Sequence, residues 1–118
     1  MNHKTSPKDF EFFKKEVIKY QKLLGLTDWK IYLDHESVEN SLAWIRRDQE
    51  GRCCTIGLSV KWDHQKVSRD LIASSTRHEI LHLLLADLRL AGNKRQTTDE
   101  DFTIAEHSII RRLENIWN

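Results

Sequence analysis

The chain has 118 residues, of which 39% are hydrophobic and 31% are charged, and its formal net charge is +1 at pH 7. This length suits one compact domain, and the composition excludes the low hydrophobicity and high net charge of disordered chains. We therefore expect a single domain over residues 1–118. A net charge this close to zero gives no general attraction to nucleic acid or to an anionic membrane, so neither is an expected partner.

The expected location is the cytoplasm. The N-terminal segment is too polar for a signal peptide, and no apolar run approaches the roughly 18 residues of a membrane helix. Cys53 and Cys54 are adjacent, so in a strand they point to opposite faces and cannot easily bond each other or share a metal ion. Reduced packing thiols agree with a reducing compartment. Basic pairs such as Arg46-Arg47 are expected on solvated surfaces.

A capping box predicts the first helix. Ser6 can accept a backbone N–H, Pro7 suits the first helical position, and Asp9 favours the positive end of a helix. Gly25 then offers a C-terminal stop. Between these signals, apolar side chains recur at helical spacing, namely Phe10, Phe13, Val17 and Leu24.

Three candidate strands follow. Apolar and polar residues alternate from residue 29 to 34, residues 41–47 form a second candidate, and the clearest alternation covers residues 53–62 after a turn. The second and third strands are expected to form a hairpin. Gly57, on the polar side of the third strand, indicates either the close approach of another backbone or a bulge.

Two further helices complete the predicted order α-β-β-β-α-α, which is an α+β fold. Ser68 is expected to cap a helix over residues 69–90, and Thr97 or Thr98 a last helix that ends near residue 117. The first of these two helices is leucine-rich around most of its circumference, which predicts burial on several sides. Polar residues inside it therefore need an explanation.

That buried helix contains His78-Glu79-Ile80-Leu81-His82, an H-E-x-x-H sequence of the kind found in zinc metalloproteases. Residues four apart share a helix face, so both imidazoles can bind one cation. Glu79 lies about 100° round the helix and can contact a water on the metal, as a general base would. The alternative is two core histidines beside an incidental glutamate, which would be costly to bury without partners. We predict one zinc ion per chain.

A hydrolytic zinc site uses three protein ligands and leaves one position for water, so a third ligand is required. Glu106 falls inside the apolar face of the last helix, and an antiparallel pair of helices would bring it beside His82. An ion-paired or solvent-reaching carboxylate is the alternative for Glu106. His107 lies at the edge of the same face and competes with Glu106, because histidine is also a good zinc ligand.

His78, Glu79, His82 and a helical Glu106 resemble the gluzincin branch of zinc peptidases. The element order resembles its minimal single-domain members and the small metallopeptidases of phage and prophage genomes. The resemblance implies a zincin-like fold with a small mixed sheet, an edge strand that pairs with an extended peptide, and hydrolysis of peptide bonds. Where many gluzincins carry an acidic residue four positions after the ligand glutamate, this chain has Ile110, so no residue is assigned to orient the two histidines.

The predicted function is therefore a zinc-dependent metallopeptidase acting on a peptide or protein, with His78, His82 and Glu106 as ligands and Glu79 as the catalytic base. One alternative is a zinc-containing regulatory or binding module of the same fold without turnover. Another is a metal-dependent hydrolase of non-peptide amides, since fold and site do not fix the substrate. The oxyanion-stabilising residue stays open among Tyr20, Tyr32, His35, His64 and His107.

Overall fold

The computed structural model describes residues 3–38, 41–48, 51–86, 89 and 98–116, and in the last of these ranges it leaves out the side chains at 101, 102, 105, 108, 109, 112, 115 and 116. The described elements are α1 (Pro7–Leu23), β1 (Lys30–Asp34), β2 (Ala43–Asp48), β3 (Cys53–Leu58), α2 (Arg69–Leu84) and α3 (Asp99–Ile116). These helices and the three-stranded sheet confirm the α+β class.

The first helix begins and ends where the sequence predicts. The Ser6 hydroxyl accepts the backbone N–H of Asp9 at 3.1 Å, and the Asp9 carboxylate accepts that of Ser6 at 2.8 Å. The helix ends at Leu23, and Gly25 takes a φ of 68°, in the left-handed region that favours glycine. Phe13 and Val17 of this helix are buried, so α1 packs over the core.

The sheet has the order β1-β3-β2, with β1 parallel and β2 antiparallel to β3. The predicted hairpin of the second and third strands is confirmed. The third strand ends at Leu58, earlier than expected, because the chain beyond it pairs with the N-terminal segment instead: Trp62 N donates to the carbonyl of His3 at 2.7 Å. Trp62 is nevertheless buried in the core.

Helix α2 begins as predicted but ends earlier than predicted. The Ser68 hydroxyl accepts the backbone N–H of Leu71 at 3.1 Å. The helix stops at Leu84, because Leu85 leaves the helical conformation with φ −95° and ψ 6°. Ala86 and Arg89 are helical again. These helical residues follow the break and belong to none of the elements named above, so the order of elements differs from the predicted α-β-β-β-α-α.

Helix α3 begins at Asp99, directly after Thr98, one of the two predicted caps. The other cap, Thr97, and the predicted end of the preceding helix at Leu90 lie outside the described residues. Within the described ranges, no helix is both long and apolar enough to cross a membrane.

Helix α2 is the central element, since it packs against α1, β2 and α3. The core between α1, α2 and the inner face of the sheet contains Phe13, Ile56, Leu58, Ile72 and Ile80, all fully buried. The side of α2 that carries His78 and His82 turns towards α3. The buried helix thereby presents its two histidines at the interface with the last helix.

Candidate metal centre

Three imidazoles meet between α2 and α3. His78 and His82 come from α2 and His107 from α3, and their donor atoms all lie within 4.8 Å of one another. In the part of the chain that the structure describes, this is the one group of three or more His, Cys, Asp or Glu side chains close enough to hold a metal ion. The arrangement can therefore form a three-histidine metal centre.

Two carboxylates from α3 hold the outer nitrogens of the α2 histidines. His82 Nδ1 lies 2.5 Å from Glu106 Oε1, and His78 Nδ1 lies 3.0 Å from Glu114 Oε1. An ionised carboxylate only accepts hydrogen bonds, so in the neutral rings Nδ1 is the donor and Nε2 carries the lone pair. Carboxylates in this position fix the orientation of metal-binding histidines in proteins.

The two remaining ring nitrogens face each other. His78 Nε2 and His82 Nε2 are 3.2 Å apart. Two lone pairs at this distance repel unless a proton or a cation lies between them. Two nitrogens that bind one zinc ion at 2.0–2.1 Å in a tetrahedral site stand about 3.3 Å apart. The spacing therefore fits a cation bound by both rings.

Glu106 is buried, with a relative exposure of 3%. It lies beside His82, as the sequence predicts. Its carboxylate, however, contacts the outer nitrogen of His82 through Oε1. Its Oε2 has no hydrogen-bond partner among the described residues. The third member of the donor group is His107, the competing candidate, and the geometry thus favours His107 over Glu106 as the third ligand.

Sequence reasoning missed Glu114. This residue orients His78, a role that the presence of Ile110 had left unassigned, and Ile110 itself is fully buried. The signal was present in the sequence, because Glu106, Ile110 and Glu114 follow one another at intervals of four and so share a face of α3. The acidic partner lies one turn beyond the expected position.

Arg47 was also missed, and its expected place on a solvated surface is wrong. Its Nη1 donates to the backbone carbonyl of His82 at 3.0 Å, and its side chain is only 18% exposed. The period-two pattern of β2 puts Arg47 on the same side as Ala43 and Ile45, which is the inner side of the sheet. Arg46, on the other side, is exposed as expected.

Glu79 lines a cavity of about 330 Å³ beside His78. The remaining lining residues are Ser41, Leu42, Ala43, Ser74, Ser75 and Glu114. Burial raises the pKa of Glu79 to about 8, and the positive charge of Arg47 opposes that rise. Burial also lowers the pKa of His82, which favours the neutral imidazole that metal binding requires.

Of the candidates for oxyanion stabilisation, His64 lines a second pocket together with Ser41 and Leu42, which also line the cavity beside His78. His107 belongs to the histidine group, whereas Tyr20 is buried in the core and Tyr32 is half exposed on the sheet. His35 Nε2 contacts the hydroxyl of Thr5 at 2.7 Å, and its ring stacks on Phe10. Of these candidates, His107 is the one that the structure brings to the metal centre.

Comparisons of this chain with protein-family models, curated proteins and solved structures give no significant match. The described residues form an α+β domain with a potential three-histidine metal centre that opens on a polar cavity.

Proposed function

We propose that this chain is a zinc-dependent metallopeptidase with a zincin-like fold, in which His78, His82 and His107 bind one zinc ion. The observation that carries the proposal is that His78 Nε2 and His82 Nε2 face each other. The other nitrogen of each ring, Nδ1, contacts a carboxylate, which is Glu114 for His78 and Glu106 for His82. This assignment revises the predicted ligand set, because Glu106 orients a ligand instead of binding the metal.

Zinc is the cation that this set of donors favours. Neutral imidazoles suit zinc, whereas magnesium and calcium prefer oxygen ligands. Three protein ligands leave one position of a tetrahedral site for water, which is typical of catalytic zinc. Zinc held by these three histidines would lower the pKa of a bound water molecule to about 7 and so supply a nucleophile near neutral pH.

Glu79 is the proposed general base. It follows His78 in the chain and lines the same cavity, so its carboxylate can reach a molecule bound beside the histidines. There it accepts a proton from the attacking water and returns it to the leaving amine. Burial raises the pKa of Glu79 to about 8, and a cation bound beside the histidines would lower it again and favour the ionised carboxylate that a base requires.

A peptide substrate is supported by the position of the cavity. Its wall includes Ala43, the first residue of β2, and β2 is an edge strand of the sheet. An extended peptide can add to such an edge through backbone hydrogen bonds. Since Cys53 and Cys54 are both free thiols, the cytoplasm remains the proposed location.

The test combines metal analysis with hydrolysis of a peptide library by the purified protein. We expect about one zinc per chain and cleavage by the wild-type protein. Glu79→Gln should keep the zinc and lose hydrolysis, because an amide cannot accept the proton. A Glu79→Gln variant that cleaves like the wild type contradicts the assigned base. A zinc-loaded wild-type protein that cleaves no peptide favours the binding module or the non-peptide amidohydrolase.

A further inference from the structure

Arg47 places a positive charge on the inner side of the sheet. Its partner across the hairpin is Cys54, which is buried, and the next inward pair along the two strands is Ile45 with Ile56. A guanidinium in such surroundings is costly unless it meets opposite charge or hydrogen-bond acceptors. The contacts of the Arg47 guanidinium therefore indicate the role of this residue.

One contact is with Glu106. Arg47 Nη1 lies 3.7 Å from Glu106 Oε2, the oxygen that has no hydrogen-bond partner among the described residues. The Glu106 side chain is 4% exposed, so water does little to stabilise its charge. Arg47 offsets that charge while the other oxygen, Oε1, holds the ring of His82.

The other contact is with the backbone of His82. Its carbonyl lies in the last turn of α2, and Arg47 donates to it at 3.0 Å. A cation at this end of a helix is also favourable towards the helix dipole. One planar guanidinium thus contacts both the main chain of His82 and the carboxylate that orients its ring.

We propose that Arg47 is a positioning residue of the metal centre. It holds Glu106 and the end of α2 so that His82 Nε2 faces His78 Nε2, where the two rings would hold the cation. This inference rests on the metal site proposed above. Arg47 acts through His82 and Glu106 and takes no part in proton transfer.

The chain offers a matched control for the test. Arg46 is the neighbouring residue on the same strand, but it points outwards, where its guanidinium lies 4.8 Å from the centre of the Trp44 ring. We expect Arg47→Met to weaken zinc affinity about 10- to 100-fold, the usual effect of losing a residue that orients a ligand. Arg46→Met should bind zinc like the wild type. Arg47→Lys keeps the charge without the planar fork and should recover part of the affinity.

Two further measurements separate positioning from a general loss of structure. The visible spectrum of the cobalt-substituted protein should change in Arg47→Met and stay unchanged in Arg46→Met. A double-mutant cycle combines Arg47→Met with Glu106→Gln. The double variant should lose less zinc affinity than the two single variants lose together, because Arg47 and Glu106 both act through His82. Additive losses, or equal losses in the Arg46 and Arg47 variants, overturn the proposal.

The same experiment distinguishes this inference from the proposed function. If the wild type binds zinc but cleaves no peptide, the peptidase proposal fails, but the zinc affinities of the variants still test the positioning role of Arg47. If the wild type binds no zinc, the metal site fails, and nitrogen NMR of the His82 ring in the metal-free protein tests Arg47 instead. The ring signals should then shift in Arg47→Met but not in Arg46→Met, and unchanged signals in both overturn the inference.

Discussion

Replacing Gly57 by alanine is expected to destabilise the fold strongly. Gly57 lies on the outer side of β3, opposite Trp44 of β2, and the indole ring lies directly against its backbone. A Cβ atom at this position would stand 2.0 Å from Trp44 Cε2 and 2.1 Å from Cζ2. The sequence suggested close approach of another backbone or a bulge at Gly57, and the group that approaches is a side chain.

The cost follows from these distances. Carbon atoms rest about 3.5–4.0 Å apart, so the ring must withdraw by about 1.5 Å. Trp44 is 6% exposed and donates its Nε1–H to the carbonyl of Glu36 at 3.0 Å, a bond worth about 0.5–1.5 kcal/mol that the shift would break. Overpacking adds about 1–3 kcal/mol. We therefore expect Gly57→Ala to lower the free energy of unfolding by about 2–4 kcal/mol.

Urea denaturation followed by circular dichroism measures this loss. Gly51→Ala is the matched control at the other end of the hairpin, because its Cβ would meet the flexible carboxylate end of Asp48 at 3.0 Å and Cys53 Sγ at 3.5 Å, an ordinary contact distance. It should change stability by less than about 0.5 kcal/mol. Trp44→Leu should partly rescue Gly57→Ala by removing the clash. If Gly57→Ala unfolds at the wild-type midpoint, the packing of Trp44 on Gly57 is wrong.

Two further predictions concern the metal ligands and the thiols. His107→Ala should largely abolish zinc binding, measured by competition with a chelator, whereas Glu106→Gln should weaken it only about 10- to 100-fold; the reverse ranking would restore Glu106 as the ligand. Burial raises the pKa of the Cys54 thiol to about 11, so at pH 8 iodoacetamide should modify the less buried Cys53 and reach Cys54 only in urea. Mass spectrometry of the native protein checks this, and equal labelling of both thiols would contradict it.

The features that the sequence predicts correctly are encoded locally. Capping by Ser6 and Ser68 needs only residues three positions away, and the stop at Gly25 needs only one residue with a positive φ. The end of α2 was not predictable in this way. Neither glycine nor proline marks the break at Leu85, and the leucine-rich run continues past it with good helix propensity.

In the candidate site, too, the residues that are related by local spacing were predictable, and those that meet only in the assembled fold were not. His78, Glu79 and His82 share one helix, so their spacing alone relates their positions. The choice between Glu106 and His107 depends on the rotation of α3 and on side-chain length, which a helical projection does not resolve. Glu114 contacts His78, from which it is 36 positions away in the sequence, and Arg47 contacts His82, from which it is 35 positions away. Only the assembled fold creates these contacts.

The meeting of α2 and α3 at the histidines also bears on how the chain folds. The proposed ligands His82 and His107 are 25 positions apart, so a cation held by both helices would close a loop of about 25 residues. By chain-entropy arguments, a cross-link over such a loop is worth about 3–4 kcal/mol. The proposed zinc would thus be a removable cross-link, and docking of the C-terminal helix would be coupled to metal loading. A chelator would then act as a denaturant of this region, and free zinc would set how much of the protein is fully folded.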